Sequence, residues 1–204
     1  MGIRRREQPM IDLAADPFDL FAIWMTQAEA SELNDPNAMT LATTTKDGRP
    51  SARIVLLKSW DRLGFVFYTN LESRKSDEIA VNPHVALLFH WKSRKRQIRI
   101  EGIAAQVSDA EADAYFETRP RLSRIGAWAS DQSRPLPDRR LLEQRLEQEI
   151  AKYADAPVPR PPHWSGWCVT PEAIEFWEDR DFRLHDRAVF ISTSTGWTAS
   201  RLYP

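Results

Sequence analysis

Two stretches decide how this chain reads: Arg53-Ile54-Val55-Leu56-Leu57-Lys58, and Phe65-Val66-Phe67-Tyr68-Thr69-Asn70 with Ser73-Arg74-Lys75 just behind it. Both set cations into apolar, strand-like sequence. A charge beside a core is costly unless it is paired. No acidic residue lies between Arg53 and Lys58. A phosphate group would supply the missing anion, since guanidinium forks and ammonium groups both bind it well. The competing reading is structural: one charge caps a strand end and the other reaches out to solvent along its aliphatic stem. Two such clusters a hairpin apart, with Tyr68-Thr69 between them, favour a phosphorylated ligand.

Working outward, the segments alternate between short strands and blocks of helix. Asp16-Pro17 reads as a helix cap and first position, with Leu20, Phe21, Trp24, Met25 and Ala28 on one face. Met39–Thr44 and Ala52–Lys58 flank Asp47-Gly48, a hairpin turn signal. Phe65–Asn70 follows the Asp61–Gly64 turn, and a short helix is expected from Ser73 to Val81. His84–Trp91 is an almost unbroken apolar run, expected to be covered on both faces, whereas Arg96–Val107 alternates as a half-buried strand does. Ser108-Asp109-Ala110-Glu111 is a capping box, and the helix it opens should stop near Pro120. Two more helices are expected, from Pro120 through Trp128 and from Pro137 to Tyr153, the latter with Leu141, Leu142, Leu146 and Ile150 on one face. Strands resume at Trp164–Val169, Ala173–Trp177, Ala188–Thr193 and Trp197–Leu202. This order predicts an α+β fold with an antiparallel sheet and flanking helices, whose strands could close into a barrel. Residues 1–15 are expected to form a flexible N-terminal arm, and 16–204 a single domain.

Composition narrows the function. Among 204 residues, 28 Lys and Arg against 29 Asp and Glu leave a net charge of −1, so no broad field attracts nucleic acid or an anionic membrane. Lys92-Ser93-Arg94-Lys95-Arg96 falls in a hairpin turn and reads as a solvated charge run. No apolar run approaches the roughly 18 residues of a membrane span, and no secretory signal opens the chain. Cys168 is the only cysteine, which excludes an internal disulfide and fits a reducing cytoplasm. The four histidines show no tight metal-ligand spacing, and no metal is expected.

Arg183-Leu184-His185-Asp186-Arg187 is the second informative segment. In extended chain Arg183, His185 and Arg187 face one way, as suits an anionic or electron-rich ligand. A solvated strand end with Asp186 pairing to an arginine is the alternative. Tyr115 and Arg119, four apart, share a helix face, and Ser123 follows at the start of the next helix. Gln97 and the Gln132-Ser133 pair are polar groups that by themselves read as solvated.

Taken in order, these segments resemble the pyridoxine/pyridoxamine 5′-phosphate oxidase family: Arg53–Lys58, Phe67–Asn70, Ser73-Arg74-Lys75, Arg96-Gln97, Tyr115-Phe116 with Arg119-Pro120-Arg121, Ile125–Trp128, Gln132-Ser133, Ile174–Trp177, Arg183–Arg187 and the closing Arg201-Leu202-Tyr203-Pro204. The resemblance implies an FMN-binding split β-barrel acting as a cytoplasmic homodimer. It implies that Arg53, Lys58, Tyr68, Thr69, Arg74, Lys75 and Gln97 hold FMN from one subunit, and that Gln132, Ser133, Trp177 and Arg187 complete the site from the other. It further implies that Lys58, Tyr115, Arg119 and Ser123 grip a substrate phosphate, that Arg183 and His185 are the catalytic pair over the pyridine ring, and that Asp35 lies near the pocket. The implied reaction is oxidation of pyridoxamine or pyridoxine 5′-phosphate at C4′ to pyridoxal 5′-phosphate, with hydride passing to flavin N5 and O2 giving H2O2. Two alternatives stay open: an FMN oxidase of a non-phosphorylated, phenazine-type substrate, and a non-catalytic flavin or pyridoxal phosphate binder. Two departures accompany the resemblance. The chain begins Met1-Gly2-Ile3-Arg4 without the family's upstream Arg-Arg-x-Tyr segment, and Leu122 and Arg124 flank Ser123. Arg4, Arg5, Arg6 and Arg201 are a candidate secondary anion site.

Overall fold

Asp16 caps helix α1 (Pro17–Glu29) by accepting from the backbone N–H groups of Phe18 and Asp19. In the computed structural model, which describes residues 10–204, the apolar face of α1 is buried as its spacing requires. Phe21 is fully enclosed and meets Phe65 and Phe89 edge-on, at 4.9 and 5.4 Å between ring centroids. Burying one such ring contributes about 2 kcal/mol. Trp24 packs edge-on to Phe176.

Among the described residues, nine strands form one antiparallel sheet: β1 (Ala38–Thr44), β2 (Pro50–Leu56), β3 (Ser59–Asp61), β4 (Gly64–Asn70), β5 (His84–Trp91), β6 (Arg96–Gln106), β7 (Trp164–Glu178), β8 (Asp186–Thr193) and β9 (Gly196–Arg201). The main path runs β2-β1-β5-β6-β7-β4-β3, and β8 and β9 extend from β7. The two ends of that path, β2 and β3, are consecutive in the chain. Pro50–Asp61 therefore pairs first with β1 and then with β4, with the Lys58 N–H donating to the Val66 carbonyl at 2.9 Å. The sheet thus curls back on itself around the core. Four more helices flank it: α2 (Arg74–Val81), α3 (Asp109–Thr118), α4 (Arg121–Ala129) and α5 (Arg139–Tyr153). The antiparallel α+β architecture read from the sequence is the one observed.

Four local expectations differ from the structure. β5 is covered on one face only: Val85, Leu87, Phe89 and Trp91 are buried while His84 and His90 are exposed. Trp164–Glu178 is one strand, not two. The register with β6 shifts between Glu101 and Gly102, where Gly102 lies so close to Thr170 that a Cβ would sit 2.2 Å from its carbonyl oxygen. That bulge lets β7 continue past Pro171. α5 packs on α4, yet Leu141 and Ile150 stay largely exposed. Residues 1–9 of the expected arm lie outside the described residues, but Ile11 is buried. The Ile11 N–H donates to the Asp186 carboxylate (2.7 Å), and its carbonyl accepts from Arg201 (2.8 Å). Arg201 also pairs with Asp186, so a carboxylate already engages it; Arg4, Arg5 and Arg6 lie outside the described residues.

Candidate active site

Ser51, Arg53, Lys58, Tyr68, Thr69, Arg74, Lys75, Gln132 and Ser133 line one cavity of about 560 Å³ between β2, β4 and the start of α2. Strand alternation aims Arg53 inward, where it donates to the Thr43 and Ser51 hydroxyls (2.5 and 2.7 Å) and the Leu41 carbonyl (3.2 Å). Arg53 does have an acidic partner, contrary to the sequence reading: Glu78, at 3.1 Å and 4% exposed, reaches it from α2. Arg74 shares the same carboxylate at 2.8 Å. Burial pushes the Glu78 pKa up, but bonds from Thr43, Arg74 and Arg53 outweigh it and hold the carboxyl below its usual range.

One carboxylate does not balance the cavity. Four cations line it, and among the described residues Lys58 and Lys75 have no ion pair. Lys75 is buried and donates to the Ser73 hydroxyl (2.9 Å) and the Gln132 side-chain oxygen (3.2 Å). Burial, with Arg53 adding repulsion, drops its pKa to about 8. A cavity with this surplus suits a ligand carrying a phosphate.

A second cavity of about 240 Å³ adjoins the first and shares Tyr68, Thr69 and Gln132 with it. Arg119, Ser123, Ser130 and Trp164 are among its other lining residues. Arg119 follows α3 in extended backbone, its Nη1 buried without a hydrogen-bond partner. Burial pulls its pKa below the usual guanidinium value. Ser123 lies in the first turn of α4. Tyr115 does not line the cavity; its ring stacks on Tyr68 at 4.0 Å and 8°. Burial, aided by Glu111, raises the Tyr68 pKa to about 12, so its hydroxyl keeps its proton at neutral pH.

The remaining predicted residues form a separate group. Gln97, Trp177 and Arg187 pair directly across β6, β7 and β8, which puts them in one row on the face turned away from the core. Gln97 was expected with Arg53, and Gln132 and Ser133 with Trp177. Within the single chain, Gln132 bonds Thr69 and Lys75 and lines their cavity with Ser133, while Gln97 pairs with Trp177. β6 and β7 place Gln97 beside Trp177, outside the lining of either cavity. Arg187 is held by buried Glu175 at 2.7 Å, which Arg99 grips from the other side, also at 2.7 Å. Arg183 and His185 do not lie in extended chain. A 3₁₀ turn spans Asp181–Arg183, with Phe182 and Arg183 at φ 60° and 63°. The His185 ring lies 4.6 Å from Trp177, with Nδ1 at 3.0 Å from Asp179, while the Arg183 side chain is exposed. None of these five residues lines either cavity. Asp35 sits in the turn before β1 and also lines neither.

Sequence reasoning missed Glu78 and Trp164. The first had a signal, because Arg74 and Glu78 are spaced i, i+4 on a helix. The second had none beyond its residue type.

Residues 25–153 match the family model described as pyridoxamine 5′-phosphate oxidase, and residues 164–204 match the pyridoxine 5′-phosphate oxidase C-terminal dimerisation region. The chain belongs to the pyridoxamine 5′-phosphate oxidase family. A Gluconobacter oxydans protein named pyridoxine/pyridoxamine 5′-phosphate oxidase is 65% identical over 196 residues, covering 96% of this chain and 98% of its own. One from Rhodospirillum rubrum with the same name is 62% identical, covering 93% and 96%. Among solved structures, PhzG from Burkholderia lata in complex with tetrahydrophenazine-1-carboxylic acid superposes with a TM-score of 0.89 at 31% identity, covering 95% of each chain. Within this family, the row Gln97-Trp177-Arg187 and the Arg183–Arg187 segment fall in the part matching the dimerisation region, apart from Gln97.

Proposed function

We propose that this chain is an FMN-dependent oxidase of pyridoxamine and pyridoxine 5′-phosphate, working as a cytoplasmic homodimer. The observation that carries it is the pair of adjoining cavities, one with surplus cationic charge and one ending on the unsatisfied Arg119. Two phosphorylated molecules fit two such cavities. Arg53, Lys58, Arg74 and Lys75 would hold the FMN phosphate and ribityl chain, with Thr69, Gln132 and Ser133 beside them. Arg119 and Ser123 of the second cavity, with Lys58 of the adjoining one, would take the substrate phosphate, and Tyr115 would hold Tyr68 in place. The row Gln97-Trp177-Arg187 does not line its own chain's cavity; on a second copy it would close the first one's.

When bound, FMN supplies the two-electron acceptor for C4′ oxidation, and O2 is the final oxidant, giving H2O2. The chain's own residues supply placement and charge. Tyr68 donates through a hydroxyl that does not ionise near neutrality. Glu175 keeps the Arg187 guanidinium from swinging. Arg183 brings positive charge to where charge builds up, and His185, braced by Trp177 and Asp179, orients the C4′ substituent. For the amine, loss of hydride from C4′ leaves an imine that takes up water and releases ammonia. For the alcohol, the hydroxyl proton leaves as the aldehyde forms.

The deciding experiment mixes purified holoprotein with pyridoxamine 5′-phosphate without oxygen, then admits air. Bleaching of the flavin in one turnover, followed by aldehyde and peroxide, is expected. Folded protein that is colourless and refuses added FMN defeats the proposal. A phenazine-type substrate, suggested by the PhzG likeness, would offer Arg119 a carboxylate in place of a phosphate; equal turnover with and without the substrate phosphate would favour it.

Lys75 adds a pH dependence. Its pKa in the folded apoprotein, about 8, lies below the unfolded value, so the fold sheds this proton first as pH rises. A bound phosphate favours the charged form. FMN affinity should therefore fall as pH rises through about 8, and binding at about pH 9 should take up a proton. Calorimetry in two buffers of different ionisation heat counts that proton. A count of zero would separate Lys75 from the phosphate.

A further inference from the structure

We infer that Trp164 is the positioning residue for the phosphate-reading guanidinium of Arg119, and thereby sets the preference for a phosphorylated substrate. The inference rests on the reading of the smaller cavity given above. Arg119 Cζ lies 4.8 Å from the centroid of the Trp164 ring and 5.4 Å from that of Phe116. Phe116 meets Trp164 edge-on at 4.9 Å, so the two rings form a fixed corner around the cation. Among the described residues no carboxylate pairs with Arg119, and its buried Nη1 has no acceptor.

The choice of partner matters chemically. A carboxylate would neutralise the guanidinium and occupy its N–H fork. An aromatic face attracts the cation through its quadrupole and leaves every N–H free. Arg119 is thus held without being satisfied. Burial already lowers its pKa, so the charge waits for an anion that can enter the cavity. A substrate with no anionic group there leaves the fork unpaired, and sites built this way reject such analogues strongly.

Trp164 is itself well anchored. It is 6% exposed and opens β7. Its backbone N–H donates to the Pro161 carbonyl (3.0 Å), and its backbone carbonyl accepts from Arg160 (2.8 Å), which pairs with Asp109 and Asp113 of α3. Tyr68 lies parallel to it at 5.3 Å and 5°. The platform beneath Arg119 therefore joins β4, β7 and α3 rather than moving with any one of them.

Steady-state kinetics of Trp164→Leu and Trp164→Phe, with pyridoxamine 5′-phosphate and with unphosphorylated pyridoxamine, test the assignment. Trp164→Leu should raise KM for the phosphorylated amine about tenfold and weaken inhibition by inorganic phosphate to match, with kcat within about twofold. KM for pyridoxamine should not move. Trp164→Phe, which keeps a weaker π face, should raise the first KM about two- to threefold; if the leucine variant fails to fold, this variant decides alone. A merely structural role would shift kcat, flavin retention and both KM values together, and that result overturns the inference, as does an unchanged KM. Arg119→Ala is the reference. If it leaves the KM for pyridoxamine 5′-phosphate untouched, the reading of the cavity falls and the inference with it. If it raises that KM while the Trp164 variants do not, the inference alone falls.

Discussion

Arg183→Ala is expected to lower the rate of flavin reduction by pyridoxamine 5′-phosphate about 100-fold while leaving FMN retention close to that of the unaltered protein. Arg183 lines neither cavity, and its exposed side chain sits in a turn at φ 63°, next to Phe182 and Leu184, which are also exposed. Among the described residues, no ion pair engages its charge. The backbone there does not favour an ordinary side chain, so alanine neither relieves nor adds much strain; Arg183→Gly serves as the control for backbone freedom. Arg183→Lys should fall between, since it keeps the charge and loses the planar fork. Stopped-flow absorbance reads the reduction, and flavin fluorescence after gel filtration reads retention. The reverse pattern, flavin lost and the rate kept, would mean that Arg183 belongs to the cofactor site.

The second large effect concerns two inactive variants that repair each other. Arg74→Ala removes a cation from the larger cavity, and Arg187→Ala removes one from the row on the opposite sheet face. Each deletion spares the fold, because Glu78 keeps Arg53 and Glu175 keeps Arg99. Each homodimer alone should lose FMN and nearly all turnover. If a centre is built from the cavity of one copy and the row of another, a mixed dimer carries one intact centre and one doubly damaged one. Random exchange of equal amounts should then restore about a quarter of the normal activity. No recovery after exchange, with mixed dimers demonstrated by differently tagged copies, would mean that each chain completes its own centre.

Much of the fold was legible because its signals are local. The apolar face of α1 follows a helical period, Asp47-Gly48 marks a hairpin, and Ser108 caps α3 by accepting from the Glu111 N–H. The site was legible in its residue types and less so in its grouping. Arg53 looked unpaired because its carboxylate arrives from a helix more than twenty residues away. Arg183–Arg187 looked extended because neither Phe182 nor Arg183 is a residue that announces a left-handed backbone. That Gln132 neighbours Thr69, and Gln97 neighbours Trp177, was not legible because sequence does not say which face of a curled sheet meets a given loop. The exposed apolar residues of α5 and the bare face of β5 have the same origin: periodicity names a face, and not what covers it.

β7 has a consequence at the scale of the assembly. Its fifteen residues begin at Trp164, under the Arg119 guanidinium, and end at Glu178, one residue past the indole of Trp177. At about 3.3 Å per residue it stretches close to 50 Å. In the dimer proposed above, one end of this girder belongs to one reaction centre and the other end to its twin. Whatever bends it at the Pro171 crossing is felt by both workplaces at once, so the enzyme has no region of β7 whose damage could be confined to one of them.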